Sequence, residues 1–391
     1  MRSLHAVRSV SVFLALLCAT LALGCRGDRA TPSASGTVKF TWITNTTWLI
    51  EVGEKRILHD AFFTRIDLPS FDLSQPETLR FGSISPDTSL VRDVLNALAA
   101  DQGISHILVG HGHVDHTLDL GLVAGLTDAE IIGSRTACLQ AVAQGIPPEQ
   151  CISVEGGEVV ELAPDLEVRI VRWSHSGDPS DPRFRVIQAP LELISVPWVD
   201  PETGALDPSF DGGYPNGGGV RAFLFTYRTT QGDLRWLVSD SGNPYTFDGE
   251  SSTSPEFFES LGLTMDNLRF VEVEGAPREW LVEAVEEEGF DVVDLWLATG
   301  PSAHVRQIAP ILKPLVLIPH HWGGFGGVYS AGVRRAYDNP NLQAYLDSAG
   351  IQYLPQRQYL DRFLLTAEGV HRDPNTEAKL QLGLRDSLES R

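Results

Sequence analysis

With 391 residues, 42% of them hydrophobic, the chain is long enough for one large domain or two ordinary ones and can bury a sizeable core. Its 51 acidic and 30 basic residues give a formal charge of −21, a sign that repels phosphate backbones and excludes nucleic acid as the main partner. The 36 glycines and 24 prolines ask for many turns rather than a helical bundle, and the lack of any repeat excludes a solenoid.

At the N-terminus, Arg2 and Arg8 precede an apolar stretch from Val10 to Leu23 that is too short to span a bilayer and ends in Gly24-Cys25. Residues 1–24 therefore read as an export signal. The ending Leu21-Ala22-Leu23-Gly24-Cys25 resembles a bacterial lipobox, which implies a lipid on Cys25 and a membrane-anchored protein of the cell envelope. Ala22 departs from the usual leucine of that pattern, so plain secretion stands as the alternative. Residues 25–36 are polar and small, as in a tether. With Cys18 and Cys25 assigned to the leader and its lipobox, only Cys138 and Cys151 remain. In an oxidising compartment they either bridge across a short loop or stay as two thiols, and spacing does not decide between them.

From residue 37 the chain reads as one domain to residue 371. VKFTWI, TWLIEV and RILHDAFF are short and rich in β-branched and aromatic residues, as consecutive strands are, with a hairpin at Gly53-Glu54. Residues 88–102 carry apolar positions at helical spacing, and HILVG follows as a short buried strand. Residues 134–144 read as a helix and LEVRIVRW (166–173) as a strand. The stretch from Ser174 to Gly219, rich in Pro, Gly and Asp, is too long for an ordinary connection and is expected to fold over a functional site. VRAFLFTY and LRWLVSD form a hairpin, then DVVDLWLA and LVLIP are two more buried strands separated by helices. Residues 372–391 read as a polar tail. Strands in runs that then alternate with helices, twice over, predict two sheets with helices outside them.

The chemistry concentrates in His111-Gly112-His113-Val114-Asp115-His116, directly after HILVG, where α/β folds place ligand sites. In extended backbone His111 and His113 point to the same side, and paired imidazoles suit zinc. Asp115 and His116 follow a turn and can serve a second ion. A run of surface histidines is the competing reading.

This His-x-His-x-Asp-His motif resembles the signature of the metallo-β-lactamase superfamily. The resemblance implies an α/β fold, a four-layer αββα sandwich with a metal site at one edge. It also implies an aspartate after an early strand, supplied by Asp60, and a third histidine after the next long strand, supplied by His175. A bridging aspartate at a later strand end falls on Asp240, and a closing histidine falls on His320 or His321. One metal would then be held by His111, His113 and His175, and the other by Asp115, His116 and the closing histidine, with Asp240 between them. Pro319-His320-His321-Trp322-Gly323 is similar to the Pro-x-His-Trp-Gly of ascorbate-phosphate lactonases and N-acylphosphatidylethanolamine phospholipases, which favours His321 and leaves His320 a structural role.

Among the remaining polar residues, Asp119 either braces a liganding imidazole or serves a turn. His304, in GPSAH before a helical stretch, either contacts substrate or, as the favoured reading, is a surface histidine, and His59 reads as packing on the face opposite Asp60. Nothing resembles a serine triad or a cysteine nucleophile, and GGYPNGGG (212–219) lacks the lysine of a phosphate loop. The resemblance implies a hydrolase with two divalent ions, zinc first among them, and Asp115 and Asp240 as catalytic residues. It would cut an ester-type bond (phosphodiester, lactone or related) in a small-molecule or lipid-derived substrate, using water activated at neutral pH. The competing classes are a metal-binding lipoprotein with a binding or sensory role, and an iron redox enzyme, which would want a flavin domain that the chain does not show.

Overall fold

Val38 opens the first strand because β-branched and aromatic residues alternate there, and Asn45 ends it by turning into the left-handed region at φ 43°. The computed structural model describes residues 36–66, 85–98, 103–175, 191–196, 219–242, 244, 247–248, 268–270, 275–324, 326–333 and 338–384. The expected leader, all of the tether but Gly36, and most of the stretch from 174 to 219 lie outside them.

The strands follow in chain order. β1 (Val38–Thr44), β2 (Thr47–Val52), β3 (Lys55–His59), β4 (His106–Leu108), β5 (Glu130–Gly133) and β6 (Cys151–Ser153) lie side by side in the first sheet. The chain then builds a second sheet from β7 (Val159–Ala163), β8 (Leu166–Arg172), β10 (Arg221–Thr229), β11 (Gly232–Ser239), β13 (Val293–Ala298), β14 (Pro314–Pro319) and β15 (Gln352–Tyr353). It returns to the first sheet with β16 (Arg362–Thr366) and β17 (Gly369–Asp373), and β9 (Leu191–Leu193) pairs with β12 (Leu268–Phe270) in a separate ribbon. In each large sheet one half is antiparallel and the other parallel. Parallel neighbours require crossovers, and these are helical.

Alternation decides which side chains meet. Phe40 of β1 points between the sheets and meets Trp236 of β11 edge-on at 5.5 Å, while Trp236 stacks on Phe225 of β10 at 4.7 Å. On the far side of the second sheet, Leu224, Leu237, Trp296 and Leu317 share a core with Leu281, Ile308 and Leu346. Those three belong to the helices Pro277–Glu288, Ser302–Leu312 and Pro340–Ala349. On the far side of the first sheet, Ile43, Leu49 and Leu58 meet Leu95 and Leu98 at the end of the helix Thr88–Ala97. The layers are helix, sheet, sheet, helix, the expected αββα sandwich.

Two expectations change at the ends of elements. The helix expected over 88–102 is described as Thr88–Ala97, started by the Asp87 side chain accepting the Leu90 N–H at 3.0 Å. The residues beyond 371 do not begin a tail. β17 runs to Asp373, the helix Thr376–Gln381 packs back on the body, and Leu384 is buried. Lys379 makes this possible: its ammonium donates to Asp361 Oδ1 at 2.8 Å, so a residue that looked solvent-facing is buried as one half of an ion pair. The domain extends at least to Leu384.

Cys138, in the helix Arg135–Ala143, and Cys151, at the start of β6, are joined in a disulfide with Cα atoms 5.6 Å apart and a sequence separation of 13. A loop of that length loses about 3 kcal/mol of chain entropy in the unfolded state when closed. Replacing both cysteines with serine should lower the free energy of urea unfolding by about 2–3 kcal/mol; an unchanged midpoint would mean that the bridge constrains nothing.

Candidate metal centre

All seven expected ligands stand within a few residues after a strand stops, or in the short helix that follows the first such stop. β4 ends at Leu108, and the chain then passes His111 and bends at Gly112 to His113, which starts the helix Val114–Thr117 carrying Asp115 and His116. His175 follows β8, Asp240 follows β11, and His320 and His321 follow β14.

The structure brings these side chains together in two groups that share a border. In the first, His113 Nδ1 lies 3.0 Å from His111 Nε2 and 3.0 Å from His175 Nε2. Three ring nitrogens converging on one point is the arrangement a tetrahedral ion asks for, since Zn–N bonds of about 2.0–2.1 Å set neighbouring nitrogens about 3.4 Å apart. In the second, Asp115 Oδ2 lies 3.1 Å from His321 Nε2 and 3.4 Å from His116 Nε2. Asp240 touches one histidine of each group, with Oδ2 at 2.7 Å from His111 Nδ1 and 3.3 Å from His116 Nδ1. The buried Asp240 Oδ1 has no hydrogen-bond partner, and His116 Nε2 meets only the Asp115 carboxylate at 3.4 Å, outside ordinary hydrogen-bond geometry. Polar atoms are rarely left so without a ligand to meet them, and the donor set fits divalent metal.

Asp60 orients His116 from behind. Its Oδ2 lies 2.7 Å from His116 Nδ1, its Oδ1 accepts the Gly110 N–H at 2.8 Å, and Thr46 Oγ1 lies 3.0 Å from the same Nδ1. With Nδ1 engaged, the ring presents Nε2 to Asp115, as in carboxylate–histidine–metal arrangements. Gly110 is glycine because Asp240 comes so close: a Cβ there would meet the Asp240 carboxylate far inside van der Waals contact.

Charge and burial oppose each other across the site. Burial, then repulsion from neighbouring imidazoles, drives His111 and His113 well below the ordinary histidine value, so both are neutral with lone pairs to give. Burial alone would raise Asp115 and lower His116. Their mutual attraction, with Asp60 adding to it, overrules burial and holds the Asp115 carboxyl low and the His116 imidazolium high.

Of the two closing histidines, it is His321 that reaches Asp115. Its φ of 63° turns its side chain away from the line of β14. His320 is fully engaged elsewhere: its Nδ1 accepts the Trp48 indole N–H at 3.0 Å and its Nε2–H donates to Ser239 O at 2.7 Å. An indole can only donate and a carbonyl can only accept, so that ring is one neutral tautomer.

Asp119 does not touch an imidazole. Oδ2 accepts the Phe63 and Thr64 N–H groups at 2.6 and 2.8 Å and Oδ1 accepts the Thr64 hydroxyl at 2.5 Å, which ties down the chain after Asp60. Burial nevertheless pushes its carboxyl up to about 6. Two expectations are corrected. His59 is not turned away from Asp60: its Nδ1 lies 3.3 Å from Asp60 Oδ2, because Asp60 takes a left-handed φ of 56° and breaks the alternation. His304 is no surface residue but is wholly buried, with its ring edge-on to Trp173 and Phe247, because Ser302–Leu312 is a helix whose inner face it occupies.

Sequence reading missed three residues around the centre. Asn45 donates to Asp115, Gln140 Nε2 donates to Gly112 O at 2.7 Å, and the Arg65 guanidinium donates to the carbonyls of Gly324 and Gly326 beside His321. None carries a motif; only the Asn45 turn between two apolar strands gave any local signal.

No protein-family model matches the chain. It is similar to a UPF0173 metal-dependent hydrolase of Pyrobaculum aerophilum, 26% identical over 153 residues, covering 39% of this chain and 57% of the relative. It is 38% identical over 128 residues to a UPF0173 protein of Pyrococcus furiosus, covering 28% of this chain and 60% of that one. A UPF0173 protein of Pyrococcus abyssi matches more of the chain, 59%, at 23% identity and covers 73% of its own length. The first two matches thus span little more than half of those relatives. Among solved structures, a metallo hydrolase of Ignicoccus hospitalis covers 84% of this chain and 98% of its own at 14% identity and TM-score 0.43. A metallo-β-lactamase fold protein of Bacillus subtilis covers 84% of this chain and 99% of its own at 10% identity and TM-score 0.44.

Removing Asp119 orphans two backbone N–H groups and one hydroxyl in a buried loop. Asp119→Ala should therefore cost about 2–4 kcal/mol of stability in denaturant unfolding. A loss below about 0.5 kcal/mol, the range of an ordinary surface change, would mean that the loop is held some other way.

Proposed function

We propose that the protein is a metal-dependent hydrolase that works with two divalent ions, zinc suiting the donor set best, on an ester-type bond in a small-molecule or lipid-derived substrate. The observation that carries this reading is the pair of ligand groups, His111/His113/His175 and Asp115/His116/His321, with Asp240 in contact with a histidine of each. The similarity to metal-dependent hydrolases supports it.

His111, His113 and His175 would hold one ion and Asp115, His116 and His321 the other. When bound, such a pair supplies Lewis acidity and an activated water at neutral pH. The chain's own residues set the rest. Asp60 fixes the rotation of the His116 ring. Asp240 offers a partnerless oxygen at the border of the two groups, the position from which it can both bind and accept a proton. Burial of His111, His116, Asp60 and Asp240 keeps bulk water away and strengthens every charge interaction in the centre. Ligands at four strand ends are held by sheet hydrogen bonds, so little reorganisation is needed when charge develops.

The leader pattern supports export and lipid anchoring at Cys25 in the cell envelope, and the Cys138–Cys151 bridge fits an oxidising compartment. The charge of −21 weighs against a nucleic-acid substrate.

Metal analysis of protein lacking residues 1–24 should find about two zinc equivalents, with turnover of one member of a panel holding a phosphodiester, a lactone and a β-lactam. Asp115→Ala and Asp240→Ala should each reduce that turnover by more than the about 10–100-fold typical of residues behind the ligands. Wild-type turnover and metal content in both variants would sink the assignment. Metal without turnover on any panel member would move weight to a binding or sensory role.

A further inference from the structure

The two ligand groups share the segment His111–His116 and part at their last histidine, His175 after β8 or His321 after β14, and one residue outside both holds only the second. Asn45 sits in the turn between β1 and β2, buried, at φ 43°. Its side-chain amide donates to Asp115 Oδ2 at 2.8 Å and to Asp115 O at 3.3 Å. Its main-chain carbonyl accepts the His321 N–H at 3.0 Å and the Trp42 indole N–H at 2.9 Å. The turn thus grips two ligands 206 positions apart, one by its side chain and one by its backbone.

Other packing locks the grip. Asn45 and Trp322 form an isolated antiparallel bridge, and Trp322 stacks on Trp42 at 4.8 Å with an angle of 21° between the rings. The Trp42 indole reaches back to the Asn45 carbonyl, so stack, bridge and hydrogen bond close on the same turn. The first group is braced elsewhere, by Gln140 on Gly112 and by the end of β8 before His175.

We propose that Asn45 is a positioning residue that sets the Asp115–His321 half of the centre and leaves the His111–His113–His175 half independent of it. This rests on the two-ion reading above. The residue type follows from two demands at once. The turn needs a residue that tolerates the left-handed region, which asparagine does at little cost. The carboxylate needs a donor that fixes Oδ2 without competing for the cation it is to meet. An amide is neutral, so it aims the oxygen and leaves its full negative charge for the metal; a lysine or arginine at the same place would neutralise it.

Asn45→Gly tests this, because glycine keeps the left-handed turn and the main-chain bonds to His321 and Trp42 while deleting the amide. Zinc is titrated into metal-free wild type and variant against a chromophoric chelator, with far-ultraviolet circular dichroism and a thermal melt on each. Wild type should take up two ions. The variant should keep one at wild-type affinity and bind the other at least about 10-fold more weakly, as loss of a residue behind a ligand does. If Asn45→Gly does not fold, Asn45→Ser, which also removes the amide but keeps a Cβ, is read in the same titration. Two ions at wild-type affinity in the folded variant would overturn the proposal, and so would equal weakening of both. A wild-type chain that takes up no second ion would instead overturn the two-ion reading itself, before any variant is compared.

Discussion

Three carboxylates, those of Asp60, Asp115 and Asp240, lie almost wholly out of water, and the rest of the structure is arranged around that cost. A buried unpaired charge is worth several kcal/mol of destabilisation, so each carboxylate must meet protons, donors or cations. Each does: Asp60 on His116 and the Gly110 N–H, Asp115 on Asn45 and the His116 and His321 rings, Asp240 on His111. Asp115 and Asp60 draw the His116 imidazole toward its protonated form against burial, while burial and the neighbouring imidazoles push His111 and His113 toward the neutral form. A divalent cation would satisfy the same need without a shared proton. The polarity of the site is therefore already that of a cation-binding cavity.

Two sheets meeting face to face make this concentration possible. Every candidate ligand follows closely on a strand end, Asp115 and His116 through the short helix Val114–Thr117, so the hydrogen-bond ladders fix where each segment starts and side-chain braces finish its placement. Parallel strands β3, β4 and β5 bring Asp60 and the histidine motif to one edge, and β11, β13 and β14 bring Asp240 and His321 to the edge that faces it. Close approach of the two edges has a steric consequence at Gly110, where any side chain would displace Asp240. The neighbouring histidines that do not join the groups are buried supports. His320 links Trp48 of the first sheet to Ser239 of the second, and so stitches the layers directly beneath the site.

The periphery carries its own charge economy. The disulfide staples the helix whose Gln140 holds the histidine motif, and the Lys379–Asp361 pair fastens the C-terminal helix to the first sheet. Arg65 shows the same logic without a carboxylate: its guanidinium is shared among main-chain oxygens of the glycine-rich turn after His321 and the faces of Phe62, Tyr329 and Tyr359.

The strands β1–β4, β8, β10, β11, β13 and β14 and the order in which ligand-type residues follow them were legible in the sequence, because hydrophobic period and turn chemistry are local properties, whereas the short β5–β7, β9, β12 and β15–β17 were not. For the same reason the candidate metal motif was legible: four ligand-type residues crowd into six positions directly after a buried strand, although the chain bends at Gly112 and His113 where extended backbone was expected. What lay beyond reach depended on contacts between distant segments. The closing pattern Pro319-His320-His321-Trp322-Gly323 already favoured His321, but the left-handed φ that carries its ring to Asp115 is encoded by no pattern of residue types. The burial of His304 and Lys379 turned on what packs over them. Whether Cys138 and Cys151 meet, and that Asn45 reaches Asp115 across 70 positions, was decided only when the sheets assembled, since a hydrogen bond or a disulfide requires atoms within a few ångströms and spacing in sequence does not set that distance.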